Sequence, residues 1–250
     1  MKTETMDYLL LEETDSTNSY VALHADELAD DTMVMTGRQT AGRGQRGNSW
    51  ESEPGMNLTF TLLHRPHGMA PREQFAISEA TALAVADFLA DCGVEALVKW
   101  PNDVYVGDGK IAGILIEHSV TSTEIGHSRI GVGINLNQRE FRSDAPNPVS
   151  LVQLTGRETD VSRAAVAVGS RLERRLGQAS TAEGRRELHA EFKRRLWRGD
   201  GHPHPFRRRD TGETFAGVIT DVAPEGLITI FDADDGCSAS YAFKEVEFLL

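Results

Sequence analysis

The chain has 250 residues, of which 40% are apolar and 26% are charged. These values are ordinary for a globular protein, and the length suffices for one large domain, or for a large domain and a small one. The formal net charge of −12 argues against a general nucleic-acid binder, which usually carries a basic field. The two cysteines, Cys92 and Cys237, have neither metal-ligand nor disulfide spacing, so we expect a cytoplasmic protein. We find no signal peptide and no apolar run of about 18 residues, so no membrane association is expected.

The hydrophobic pattern predicts alternating strands and helices over most of the chain. In chain order it predicts a strand at 7–12, a helix from a cap at 15–18 to about residue 30, strands at 32–37 and 57–64, a helix at 72–91, strands at 96–100, 104–106, 111–117 and 128–135, and helices at 162–178 and 183–197, the first of these two capped by Ser162. A linker rich in Gly, His and Pro is predicted at 199–205. After it, strands at 214–220, 226–231, 239–243 and 245–250 predict a small all-β module.

A glycine-rich and arginine-rich loop, Gly42 to Gly47, follows the strand at 32–37 and precedes Trp50. Glycines let a backbone approach a ligand closely, and arginines offer planar donors suited to phosphate and carboxylate. The loop matches G-x-G-x-x-G, but no helix opens after it, which disfavours a classical dinucleotide fold. A polar hairpin without a ligand is an equal alternative at this point.

Three further clusters carry polar or glycine residues. Ser16-Thr17-Asn18 is typical of a helix cap and could also line a pocket. Lys110 precedes a buried strand and needs an anionic partner, but Ile111 follows it, so the segment is no P-loop. The glycines of Gly131 to Asn137 indicate either a bulge or a close approach of another group.

In order, the segments STN, GRGQRG-NS-W, KWPND, GKIAGIL and GVGIN resemble the motifs of the biotin protein ligases, and the resemblance covers nearly the whole chain. It implies an α/β (α+β) catalytic domain over residues 1–200, a mixed sheet with helices on one face, related to class II aminoacyl-tRNA synthetases. It also implies an SH3-like β-barrel over residues 204–250. The implied activity is ATP-dependent attachment of biotin to a lysine of a biotin carboxyl carrier protein through biotinyl-5′-AMP. Because the catalytic domain starts by Asp7, we expect the monofunctional type, without DNA binding; a homodimer is possible.

The resemblance also implies roles for the motif residues. Lys110 and Arg43 are expected to be catalytic, with Lys110 beside the biotin carboxylate and the α-phosphate. The residues expected to bind biotin are Ser16, Thr17, Asn18, Gln39, Arg43, Lys110 and Gly113. Those expected to bind ATP or the adenylate are Gly42, Gly44, Gln45, Arg46, Gly47, Trp50, Lys99, Asn102 and Asn135, with adenine stacked on Trp50. Asp103 is expected to organise Mg²⁺ and the phosphates.

One position departs from the family motif. Gln45 stands where the family usually has an arginine associated with retaining the adenylate. We therefore predict faster release of biotinyl-AMP from this protein than from a Gln45→Arg variant.

Two other functions are compatible with parts of the sequence. A lipoate–protein ligase or lipoyl/octanoyl transferase would share the fold, but the polar residues Ser16, Thr17 and Gln39 and the C-terminal module favour biotin. An RNA-binding module would need a basic face with interleaved aromatics, whereas this chain is acidic and has 7% aromatic residues.

Overall fold

Two β-sheets organise the computed structural model, which describes residues 6–45, 48–143, 145 and 147–250. The strands are β1 Asp7–Leu11, β2 Thr32–Thr36, β3 Leu58–His64, β4 Leu97–Lys99, β5 Asp103–Val106, β6 Gly109–Val120, β7 Ile125–Ile134, β8 His204–Arg208, β9 Thr214–Val222, β10 Ile228–Asp232, β11 Cys237–Tyr241 and β12 Val246–Phe248. The helices are α1 Thr17–His24, α2 Phe75–Asp91, α3 Leu151–Thr155, α4 Val161–Ala179 and α5 Ala182–Arg194.

The first sheet is mixed. Its strand order is β1-β2-β3-β7-β6-β5-β4, with β1 parallel to β2 and the other neighbours antiparallel. The second sheet, β11-β10-β9-β8-β12, is antiparallel. This architecture confirms the predicted α/β (α+β) fold class with a small C-terminal β module. The boundaries at 1–200 and 204–250 stay predictions.

Helices cover both faces of the first sheet, so the prediction of helices on one face is wrong. Successive residues of a strand point to opposite faces. Accordingly Met33 and Leu62 pack in the large core with α2 and α4, whereas Val34 and Leu63 pack with Val21 of α1. Helix α1 therefore lies alone among the described helices on the face that carries the cavity described below.

A tertiary contact lies at the end of α1. The helix ends at His24 rather than near residue 30. The Arg65 guanidinium, which follows β3, donates to the carbonyl oxygen of Ala25 at 2.7 Å. Such a donor satisfies a helix C-terminal carbonyl, and no pattern within α1 itself could indicate it.

Other predicted boundaries also moved. The first residue of α4 is Val161, and its cap is Asp160, whose carboxylate accepts from the Arg163 amide at 3.0 Å, rather than Ser162. The short helix α3 was missed. Strand β8 was also missed: it begins inside the predicted linker at 199–205, and its backbone pairs with both β9 and β12.

The second sheet packs against the KWPND segment of the first. The Trp100 indole Nε1 donates to the Gly226 carbonyl at 2.9 Å, and its rings contact Phe243 and Phe248. The peptide bond between Trp100 and Pro101 is cis. This contact brings β12 to the edge of the cavity. Within the described ranges, no helix combines the length and hydropathy that a membrane crossing requires.

Candidate functional site

A cavity of about 730 Å³ opens on the α1 face of the first sheet. Its walls come from the start of α1, the glycine-rich loop, β3, β6, β7 and the second sheet. Most of the sequence-predicted residues line it: Ser16, Thr17, Asn18, Gln39, Arg43, Gly44, Gln45, Trp50, Lys99, Asn102, Asp103, Lys110, Gly113 and Asn135. Gly42 lies behind the wall, where its carbonyl accepts from the Trp50 amide at 2.9 Å. Arg46 and Gly47, which were predicted to bind ATP or the adenylate, lie outside the described residues.

The floor of the cavity is a pair of glycines. Gly113 of β6 and Gly133 of β7 are directly opposite each other in the sheet. A Cβ at Gly113 would lie 2.9 Å from Trp50 Cζ3, and one at Gly133 would lie 2.5 Å from Trp50 Cζ2. Real Cβ atoms do not approach so closely, so the glycines serve close approach of the indole rather than a bulge. Trp50 also lines the cavity.

The polar end of the cavity is built on α1. Gln39 Oε1 accepts from the Thr17 amide at 2.9 Å. The Thr61 hydroxyl lies 2.9 Å from Thr17 Oγ1 and 2.7 Å from Asn18 Oδ1. Ser16 occupies the helix N-cap but makes no capping hydrogen bond. Among the described residues, the Ser16 hydroxyl and Gln39 Nε2 therefore have no partner and are free to meet a polar ligand.

The opposite end is cationic. Lys110 Nζ lies 2.7 Å from Asp103 Oδ1, and Lys99 Nζ lies 3.9 Å from Asp103 Oδ2. Burial lowers the pKa of Lys99; Asp103 opposes this shift and Lys110 adds to it. Lys99 also lies 5.1 Å from the centroid of the Phe248 ring. Two ammonium groups share one carboxylate, which leaves a positive charge to be matched by an anion.

Asp103 lies between the two ammonium groups, and its role in organising Mg²⁺ with the phosphates stays a prediction. Each of its oxygens faces an ammonium group, and a cation would have to displace them. The carboxylate fits the role of counter-ion to Lys110 and Lys99.

Two predicted nucleotide ligands are tied to the backbone. Asn102 Nδ2 donates to the Ile114 carbonyl at 2.6 Å, and Asn135 Nδ2 donates to the Val149 carbonyl at 3.0 Å. Both side chains therefore hold cavity walls in place. Their amide oxygens are the atoms that could still accept from a ligand.

Arg43 turns toward β6. Its Nη2 lies 3.2 Å from Glu117 Oε1, and Arg129 Nη2 lies 3.5 Å from Glu117 Oε2. The Arg43 side chain is about half exposed (46%) and borders the cavity.

Several cavity residues were missed from the sequence: Thr59, Thr61, Tyr105, Leu115, Phe243 and Phe248. One signal could have found the threonines, because Thr59 and Thr61 are two apart in an apolar strand and so share a face. Phe248 carries no local signal, since its place depends on how the second sheet docks.

Residues 10–135 match the Biotin/lipoate A/B protein ligase family. A biotin–[acetyl-CoA-carboxylase] ligase of Paracoccus denitrificans is 37% identical over 158 residues, covering 60% of this chain and 65% of that protein. The corresponding ligase of Mycobacterium tuberculosis is 31% identical, covering 73% of this chain and 68% of that protein. The bifunctional ligase/repressor BirA of Salmonella typhimurium is 35% identical over 53% of this chain. The chain spans 65% of the Paracoccus protein and 42% of BirA, less than two thirds of either.

The fold has a close counterpart among solved structures. The biotin protein ligase from Aquifex aeolicus in complex with biotin and ATP superposes with a TM-score of 0.80 at 22% identity, covering 97% of this chain and 98% of that chain. At this identity the likeness establishes the fold. The family match over half of the chain establishes more: the chain belongs to the biotin/lipoate A/B protein ligase family.

Proposed function

We propose that this chain is an ATP-dependent biotin–protein ligase, which makes biotinyl-5′-AMP and transfers the biotinyl group to a lysine of a carrier protein. The observation that carries the proposal is one cavity with two unlike ends. Free polar groups of Ser16 and Gln39 lie at one end, and Lys110 and Lys99 lie at the other. This arrangement suits a ligand with a polar head and an acidic tail that meets a nucleotide.

In the first step, a carboxylate oxygen of biotin attacks the α-phosphorus of ATP. The bond from that phosphorus to the bridging oxygen of the β-phosphate breaks, and pyrophosphate leaves. Both reactants are anions, so fixed cations must offset their repulsion and the developing charge. Lys110 would supply the cation next to the reacting oxygens, and Arg43 would supply a second from the loop.

In the second step, the amine of the carrier lysine attacks the biotinyl carbonyl carbon. AMP leaves with the electron pair of the anhydride bond, and the amine loses a proton to solvent. The intermediate must be shielded from water until the amine arrives. The position of Trp50 on the glycine floor supports a role for this indole in the shield.

Biotin is preferred to lipoate on the polar end of the cavity. An apolar lipoyl ring would leave the Ser16 hydroxyl and Gln39 Nε2 buried and unpaired, which weakens binding. The ureido group of biotin can pair with both. Relatives named as biotin–[acetyl-CoA-carboxylase] ligases support a carboxylase carrier as the protein substrate.

A magnesium requirement, a cytoplasmic location and a homodimer stay predictions. The metal would enter with the ATP phosphates, since Asp103 is paired with lysines, and no step above runs through it. The lack of a DNA-binding role is likewise a prediction.

The test is pyrophosphate release from ATP with biotin or with lipoate as the acid. We expect the protein to release pyrophosphate with biotin. In Lys110→Ala the rate of release should fall at least about 100-fold, because a charge contact made in the transition state is removed. In Lys193→Ala the rate should stay the same. Lys193 is a matched control, since it pairs with Asp221 at 2.5 Å outside the cavity. Equal activity of the two variants would reject the assignment of Lys110, and release with lipoate in preference to biotin would reject the substrate.

A further inference from the structure

Arg43 is held by a side chain outside the cavity wall. The loop backbone around it is closed by hydrogen bonds from the Gly44 amide to the Asn48 carbonyl, at 2.7 Å, and from the Trp50 amide to the Gly42 carbonyl, at 2.9 Å. These bonds join residues 42 and 44 to residues 50 and 48, and neither involves the Arg43 side chain. Its direction is set by Glu117, whose Oε1 lies 3.2 Å from Arg43 Nη2.

Glu117 occupies a defined place in the sheet. Along β6 and β7 the opposed pairs on one face are Gly113 with Gly133, Leu115 with Gly131, and Glu117 with Arg129. Alternate residues of a strand share a face, so the Glu117–Arg129 pair continues the row that forms the cavity floor. The carboxylate therefore stands on a rigid element next to the floor.

The Glu117 carboxylate serves two guanidinium groups. One belongs to Arg129 on the sheet, at 3.5 Å, and the other to Arg43 on the loop. Among the described residues, Glu117 Oε2 and Arg129 Nε are buried and make no hydrogen bond. The Glu117–Arg129 pair is thus incompletely satisfied, and a share of the carboxylate's charge is available to the loop.

We infer that Glu117 is a positioning residue, which holds Arg43 over the cavity before ligands bind, and that Arg129 weakens this hold by competing for the same carboxylate. The consequence for catalysis rests on the proposed function. Because the contact with Glu117 restricts the Arg43 side chain at the border of the cavity, less conformational entropy is lost when the anionic adenylate binds. Glu117 would therefore slow the escape of that intermediate.

The competition predicts opposite signs for two neighbouring substitutions. Glu117→Gln removes the partner of Arg43 and should speed opening of the loop by about 1.5- to 5-fold, the range expected for a partly exposed ion pair. Arg129→Gln leaves the whole carboxylate to Arg43 and should leave the opening rate unchanged or lower it. A purely structural role for the Glu117–Arg129 pair predicts instead that both substitutions loosen the loop.

Hydrogen exchange of the full-length, ligand-free protein measures this directly. The reporters are the amides of Gly44 and Trp50, both bonded within the loop. The control is Glu13→Gln, which removes the Arg38–Glu13 ion pair (Nη1 to Oε2, 2.6 Å) at the base of the same loop and should not change exchange of these amides. Faster exchange in Glu117→Gln alone supports the inference. Faster exchange in both Glu117→Gln and Arg129→Gln, or in neither, overturns it.

Epistasis with Arg43 gives the second readout. In an Arg43→Gln background, Glu117→Gln should have no further effect on loop exchange or on the release of biotinyl-AMP. A persisting effect would show that Glu117 acts without Arg43 and would overturn the inference. Because exchange is measured without biotin or ATP, its result is independent of whether the proposed reaction occurs.

Discussion

The glycine floor makes a sharp prediction, because a single methyl group tests it. Gly133→Ala would place a Cβ 2.5 Å from Trp50 Cζ2 and 2.6 Å from Trp50 Nε1. Overpacking of this kind costs about 1–3 kcal/mol through the shifts that it forces on neighbouring groups. Trp50 lies on a loop, so we expect the indole to be displaced from the floor while the fold is kept.

The displaced indole should weaken the binding of the nucleotide and the adenylate. If the full cost appears in binding, 1–3 kcal/mol corresponds to about 5- to 150-fold lower affinity. Gly126→Ala is the matched control on the same strand, since its Cβ would lie 3.5 Å from the nearest atom, the Ser119 carbonyl oxygen, and the backbone is not left-handed. Calorimetric titration with ATP and biotin, tryptophan fluorescence and thermal unfolding together measure the effect. Equal affinities of the two variants, or a loss of folding stability in Gly133→Ala without a loss of affinity, would refute the reasoning.

Three further predictions follow from single contacts. Ser16→Ala removes a hydroxyl that has no partner among the described residues. It should weaken biotin binding by about 5- to 20-fold without weakening lipoate binding. Thermal shift with each acid measures this, and an equal loss of affinity for both acids would contradict it. Gln45→Arg should slow the release of biotinyl-AMP, measured by trapping free adenylate with hydroxylamine, whereas equal rates would show that the missing charge has no effect. Burial, with a smaller contribution from Arg129, lowers the pKa of His118 to about 4, while unfolded histidine has a pKa of about 6.5. At pH values between these two pKa values, the unfolded state binds a proton that the folded state does not. The free energy of unfolding should therefore fall by about 2 kcal/mol from pH 7 to pH 5. Urea unfolding of His118→Gln should lack this pH-dependent loss of stability, and an unchanged pH dependence would contradict the assignment.

The sequence determined the class of chemistry through residues that are close together in the chain. The motifs Lys99 to Asp103 and Lys110 to Leu115 are close together in the chain and fall on neighbouring strands. They indicated that Lys110 precedes a buried strand and needs an anionic partner. The glycines at 131 and 133 indicated a close approach by some group. Strand and helix periodicity located most elements within a few residues, because alternation and helical spacing are local properties.

The tertiary structure decided which partner each of those residues meets. Nothing local indicates that Trp50 lies on Gly133, that Glu117 stands between Arg43 and Arg129, or that α1 covers the face opposite the other helices. These contacts join residues far apart in the chain, and they depend on sheet order and on pairing register, where a shift of one residue would turn every side chain to the other face. The sequence therefore named the candidate groups, whereas the pairing of β4, β5 and β6 brought Lys99 and Lys110 to Asp103, and the register of β6 against β7 placed Gly113 opposite Gly133.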